Sequence, residues 1–294
     1  MNNDVRNLVY AILYKDSKTI KAYTKVLLLN DNTSKDSAFV KSALTYLEEH
    51  ENTLKEVPHD VKGLITCEDL RDSFLVNRHY FRKDEEYIVN KVVTLHKVAQ
   101  KLEDKKIHFT NSLMLHGESG TGKTTLGRYI AYKLNLPFIY LNFSNVISSY
   151  LGSTQKNIQK VFDYIRDIDC VLMLDEVDAI GLRRGTEDVG EMSRVVIGLM
   201  QCLDNLPNNV TIIGATNRID MIDTALLRRF TLKQEVKRPS SREERYKYVS
   251  TFLDDIQFNY NKDALLKYCE QDKTQAEIIN DMIISLAEYM ATLV

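Results

Sequence analysis

Gly117-Glu118-Ser119-Gly120-Thr121-Gly122-Lys123-Thr124, followed by Thr125, matches G-x-x-x-x-G-K-[ST] at every fixed position. It also holds three of the chain's eleven glycines. Ser112-Leu113-Met114-Leu115-His116 reads as a short buried strand before it, and Leu126-Gly127-Arg128-Tyr129-Ile130-Ala131 as an amphipathic helix after it. That strand, loop, helix order is the context a phosphate-binding loop requires. Glycines let successive backbone N–H groups converge on an anion, and the helix N-terminus adds the positive end of its dipole. Lys123 is expected to reach β- and γ-phosphates, and the Thr124 hydroxyl to ligate Mg²⁺.

Outward from this loop, short apolar runs alternate with helical patterns. Pro137-Phe138-Ile139-Tyr140-Leu141, Cys170-Val171-Leu172-Met173-Leu174 and Val210-Thr211-Ile212-Ile213-Gly214 suit strands buried on both faces of a parallel sheet. The alternation predicts an α/β, doubly wound fold. A helical pattern over 85–106 leads into the first strand. After Pro239 the strand-like runs stop, and Ser241-Arg242-Glu243-Glu244 and Thr274-Gln275-Ala276-Glu277 each match a capping box opening a helix. The expected organisation is a mainly helical N-terminal segment over 1–75, an α/β domain over 76–238 and a helical lid over 239–294. The N-terminal segment carries no readable motif; an adaptor module and a helical embellishment of the main domain both fit it.

Bulk properties narrow the function classes. A net charge of −2 gives no electrostatic case for nucleic-acid binding by the whole molecule. Cys67, Cys170, Cys202 and Cys269 are widely spaced with no C-x-x-C pair, so zinc and disulfides are not expected. No apolar run approaches the roughly 20 residues that span a bilayer, and the start Met1-Asn2-Asn3-Asp4 is not a signal peptide. A cytoplasmic protein without membrane attachment is the expectation.

Two further elements carry chemistry. In Val171-Leu172-Met173-Leu174-Asp175-Glu176, two carboxylates end a buried strand, where ligands bind in open α/β sheets. Asp175 is the candidate for the Mg²⁺ shell, and Glu176 for orienting or deprotonating the attacking water. Gly214-Ala215-Thr216-Asn217 ends another strand with an amide that could hold that water in line with the γ-phosphate.

From about residue 85 to the C-terminus the chain resembles the AAA subfamily of AAA+ ATPases. The resemblance rests on the loop at 117–124, on Asp175-Glu176-Val177-Asp178-Ala179-Ile180, on Gly214-Ala215-Thr216-Asn217-Arg218-Ile219-Asp220, and on Asp223-Thr224-Ala225-Leu226-Leu227-Arg228-Arg229-Phe230. It implies a five-stranded parallel sheet with a C-terminal lid, ATP and Mg²⁺ as ligands, Asn217 as sensor 1, and Arg228 and Arg229 as arginine fingers. Guanidinium groups on a γ-phosphate stabilise the charge of the transition state. The two arginines are adjacent, without the Pro-Gly often found between them, as in the katanin and spastin type. No arginine follows Arg245, so a sensor 2 arginine is missing, and Gln275 stands where glycine is usual.

The resemblance also assigns Tyr150, Leu151 and Gly152 to a pore loop gripping a threaded polypeptide, with Tyr150 as an amphipathic contact. Arg183-Arg184-Gly185-Thr186-Glu187-Asp188 is a weaker candidate for a second pore loop. Together these imply an ATP-driven homo-oligomeric ring, a hexamer, that remodels a protein substrate. Two alternatives share the motifs: a helicase- or clamp-loader-like ATPase acting on nucleic acid, and a regulatory scaffold that binds ATP without hydrolysis. The balanced charge opposes the first, and the set Glu176, Asn217 and two arginines opposes the second.

Overall fold

A computed structural model describes residues 9, 23–28, 40, 57–107, 109–148, 154–181 and 189–292. The chain divides into two units, Met1–Thr53 and Leu54–Val294. In the first, residues 23–28 are helical. The second carries the sheet, its helices and the lid. Residues 57–75, grouped with the N-terminal segment on sequence grounds, fall within it.

The sheet has six strands: β1 (Thr66–Glu68), β2 (Ser112–His116), β3 (Phe138–Asn142), β4 (Cys170–Asp175), β5 (Val210–Thr216) and β6 (Leu232–Glu235), in the order β1-β3-β4-β5-β2-β6. Five are parallel, the number that the resemblance implied; four of these are the apolar runs, and the fifth, β6, is mostly polar. The addition is β1, a three-residue edge strand antiparallel to β3 with Cys67 opposite Ile139. Its Glu68 receives two hydrogen bonds of 2.8 Å from Arg128, which ties the edge to the helix after the phosphate loop.

Continuous apolar strands follow from burial on both faces. Along β4, Cys170, Leu172 and Leu174 pack into one layer with Ile158, Val161 and Phe162, while Val171 and Met173 face the other with Leu126 and Ile130. The alternation is the period of two that a strand imposes, with helices on both sides. Helices α1 (Lys83–Asp104) and α2 (Lys123–Leu134) cover one face; α3 (Phe143–Ser148), α4 (Thr154–Ile165), α5 (Asp178–Gly181) and α6 (Val189–Asp204) belong to the other layer. The short α7 (Thr224–Leu227) is capped by the Asp223 carboxylate, which accepts from Ala225 N and Leu226 N.

The lid comprises α8 (Arg242–Asp255), α9 (Lys262–Tyr268) and α10 (Gln275–Ala291). Thr274 and Glu277 form the reciprocal capping box that opens α10. At α8 the Ser241 side chain accepts from Glu244 N, but the Glu244 carboxylate turns back to Ser240 N. Val249, Phe252, Leu265, Cys269, Ile278 and Met282 make a separate lid core. Arg245 is buried beneath it and donates to the Cys269 and Pro239 carbonyls. Among the described residues, no helix is long and apolar enough to cross a membrane.

Candidate active site

The C-terminal ends of β2, β4 and β5 lie side by side, and each delivers part of one site. β2 runs into the glycine loop. Gly117 has φ of 144°, and a Cβ there would stand 2.2 Å from the Val236 carbonyl oxygen, so only glycine fits. The loop returns through Gly122, the left-handed N-cap of α2, and places Lys123 in the first turn.

Lys123 is buried, and its ammonium donates to Gly117 O and Glu118 O at 2.8 Å and to Asn217 Oδ1 at 2.7 Å. Burial pulls its pKa below the usual lysine value, opposed by the nearby Asp175 and Asp178 carboxylates. Thr124 Oγ1 donates to Asp175 Oδ2 at 3.0 Å. Asp175 Oδ1 accepts from Glu176 N at 2.9 Å, and Oδ2 also accepts from the Tyr140 hydroxyl at 3.0 Å. Four candidates from three strand ends therefore converge around the loop: Lys123 with Asn217, and Thr124 with Asp175.

Glu176 follows in the left-handed conformation, φ 55°, which non-glycine residues adopt at a cost of about 1 kcal/mol. Its backbone turns the chain from β4 into α5, and its half-buried side chain lines the cleft. Asp178, quoted within the acidic motif without a role of its own, anchors the neighbouring strand end. Its Oδ1 accepts from Thr216 Oγ1 at 2.7 Å and from Asn217 N at 3.3 Å. Thr216 is buried and Asn217 exposed, so the anchor holds the point where β5 emerges toward solvent.

A cleft of about 660 Å³ extends from the loop between the α/β domain and the lid. Ser119, Gly120, Thr121 and Gly122 form its floor, and Tyr80, Phe81 and, from the lid, Tyr248, Gln275 and Ile279 line the rest, with Tyr80 and Tyr248 meeting edge to face at 5.0 Å between ring centroids. The lid is fastened at the floor by Ala276 N donating to Gly120 O at 3.0 Å. It is fastened at the hinge by Arg82, which bonds Glu85 at 2.7 Å and lies 3.6 Å from Glu244, and by Arg78 donating to Asp255 at 2.9 Å. Gln275 Nε2 donates to Lys237 O and Tyr248 Oη, so this side chain ties α10 both to α8 and to the end of the α/β domain.

Arg228 and Arg229 are not brought to this cleft. They border a separate depression with Asp204, Ser112 and Phe230. Arg229 makes a two-pronged bond to Asp204 at 3.1 and 3.2 Å and donates to Ala225 O at 3.0 Å, whereas Arg228 is exposed. Tyr150, Leu151 and Gly152, and the stretch 183–188, lie outside the described residues. Sequence reasoning missed Tyr140, the anchoring role of Asp178, and the wall at 78–81. The polar Tyr140 and Asn142, two apart in an apolar strand, were the available signal for the first.

The family model for the ATPase family associated with various cellular activities (AAA) matches residues 113–238. The 26S proteasome regulatory subunit 10B homolog A of Arabidopsis thaliana is 38% identical over 138 residues, 45% of this chain and 35% of that protein. The peroxisomal ATPase PEX6 of Rattus norvegicus is 39% identical over 123 residues, 40% of this chain and 13% of its own length. The aligned region thus spans about a third or less of these curated relatives. The solved structure of the FIGL-1 AAA domain in complex with ADP superposes with a TM-score of 0.61 at 21% identity, covering 77% of this chain and 78% of that one, which shows a shared fold. The motif that opens α2, the acids that end β4 and the amide that ends β5 all lie inside the matched region, so residues 113–238 are similar to the ATPase family associated with various cellular activities (AAA) over the whole of the candidate site.

Proposed function

We propose that this protein binds ATP with Mg²⁺ in the cleft, hydrolyses it, and assembles into a ring of six subunits that remodels a protein substrate through its central pore. The observation that carries the reading is the convergence of Lys123 with Asn217 and of Thr124 with Asp175 at adjacent strand ends.

The donor set fits Mg²⁺. A hydroxyl and a carboxylate oxygen 3.0 Å apart are hard ligands of the kind that ion takes alongside phosphate oxygens and water. When bound, Mg²⁺ neutralises charge on the phosphates. Thr124 and Asp175 would hold it. Lys123 already faces three oxygen acceptors, and in the nucleotide complex its ammonium exchanges them for β- and γ-phosphate oxygens. That exchange frees the Asn217 amide to orient water, while Asp178 keeps the Asn217 backbone in place. Glu176 takes up the proton of the attacking water or aligns it. The lid closes over base and ribose, with Tyr80, Phe81 and Tyr248 as the aromatic walls.

The arginines support assembly. Standing away from their own chain's cleft, Arg228 and Arg229 can complete only a neighbour's site, which makes turnover depend on the ring. Arg229 is held by Asp204, so the exposed Arg228 is the better candidate for the main finger. A protein substrate is supported by the relatives, which include a proteasome regulatory subunit, and by the aromatic Tyr150 in a Tyr-Leu-Gly stretch. The test is light scattering on Glu176→Gln, which should bind ATP and stall. A shift to about six subunits with ATP is expected; a monomer that binds ATP without assembling overturns the ring.

A further inference from the structure

Asp175 receives three donors: the phosphate-loop hydroxyl of Thr124, the backbone N–H of its own neighbour Glu176, and one from Tyr140 that neither motif explains. Glu176 N occupies Oδ1, while Oδ2 takes both the Thr124 and the Tyr140 hydroxyls, each at 3.0 Å. Tyr140 reaches it because β3 and β4 run parallel with Asn142 opposite Asp175, and Tyr140 lies two residues earlier on the same face.

The direction of the bonds is fixed by elimination. Ser144 N can only donate, and it bonds Asn142 Oδ1 at 2.8 Å, so the Asn142 nitrogen faces the Tyr140 oxygen, 3.4 Å away. The carboxylate of Asp175 can only accept. The phenolic proton therefore points at Asp175, and Asn142, Tyr140 and Asp175 form a one-way relay of donors. The phenol ring leans on Phe138, and the side chain is half-buried, so the hydroxyl sits at a defined point.

We propose that Tyr140 is a positioning residue for the metal site, clamping Oδ2 of Asp175 beside the Thr124 hydroxyl and so setting how strongly Mg²⁺ tightens nucleotide binding. The inference rests on the ATP–Mg²⁺ reading of the cleft. An ionised carboxylate offers about four lone-pair positions. Three are filled among the described residues, which leaves the group little freedom to turn. Without the phenol hydroxyl, Oδ2 keeps a single donor and the carboxylate must be ordered when the metal binds. Removal of such outer partners typically weakens metal affinity by about 10–100-fold. The phosphate contacts of Lys123 and the loop N–H groups do not pass through Tyr140, so metal-free nucleotide binding should not change.

The test compares ATP affinity of the full chain by calorimetry, in EDTA and in saturating Mg²⁺, for the parent protein and Tyr140→Phe. This variant loses one oxygen atom and keeps the ring, and thermal unfolding confirms that it is folded. The expected result is an unchanged metal-free affinity and a metal-dependent gain reduced by about tenfold or more. Direct titration of Mn²⁺ into the ATP-bound proteins, read by electron paramagnetic resonance, should show the same weakening. An equal loss with and without metal would mean a purely structural tyrosine and overturn the proposal, as would an unchanged gain. Failure of the parent protein to bind ATP more tightly with Mg²⁺ would overturn the reading of the cleft itself, and the role of Tyr140 with it.

Discussion

Replacing Asp178 with alanine should unfasten the end of β5 while removing no side chain assigned to the nucleotide or the metal. The carboxylate accepts from the Thr216 hydroxyl at 2.7 Å and from Asn217 N at 3.3 Å. A hydrogen bond to a charged group contributes about 1.5–3 kcal/mol, and the longer second bond adds about 0.5–1 kcal/mol. Thr216 is 1% exposed, so its hydroxyl loses a proton acceptor with no water to replace it, although it still accepts from Arg218 N at 3.0 Å. The loss is therefore about 2–4 kcal/mol, which in a domain of this size lowers Tm by about 5–15 °C. Asp178→Asn keeps an oxygen at the same place without the charge and should lose about half as much. Turnover should fall further than stability alone requires, because Asn217 loses its backbone anchor while Lys123 and the glycine loop stay in place. Differential scanning calorimetry and steady-state ATPase assays below the lowered Tm measure both effects. A Tm within about 2 °C of the parent, with unchanged turnover, would refute the anchoring role.

Burial holds His79, His96 and His116 below the ordinary imidazole value of 6.5. The unfolded chain then takes up protons first, so the stability these groups contribute is complete above pH 6.5 and is lost as pH falls through their lowered values. Tm should decline between about pH 7 and about pH 5, and His96→Gln should flatten part of that decline; an identical pH profile would contradict it. Arg229→Ala should cost at most about 1 kcal/mol, since its bond to Asp204 is half-exposed. Arg228→Ala should leave Tm unchanged yet reduce ATP turnover by a factor on the order of 10³, while a mixture with a Lys123→Ala chain should regain turnover at mixed interfaces.

The core of the fold was readable because burial on both faces leaves no choice of residue. Leu113–Leu115, Val171–Leu174 and Val210–Ile213 are apolar at nearly every position, and the glycine loop and capping residues mark where strands give way to helices. The edge strand β1 was not readable. Three residues with one polar face carry no period, and β1 pairs only through backbone bonds to β3. Lys123, Thr124, Asp175 and Asn217 were nameable because each sits at a fixed place in a short motif. Tyr140 and the hinge contacts of Arg78 with Asp255 and of Arg82 with Glu244 were not, because those partners are distant in sequence and depend on strand register or on how the lid folds back. Gln275 illustrates the limit differently: the resemblance marked it as standing where glycine is usual, but its bonds to Lys237 O and Tyr248 Oη depend on how the lid folds back on the α/β domain.

The central claim is that the groups gathered at the ends of β2, β4 and β5 hydrolyse ATP. Phosphate release from Mg²⁺-ATP by the purified chain, alongside Glu176→Gln, tests it most directly. Turnover in the parent protein, with a drop of about 10²-fold or more in the variant and ATP binding retained, is the expected result. Equal phosphate release from the two proteins, or none from a parent protein that is assembled and binds ATP, would contradict it.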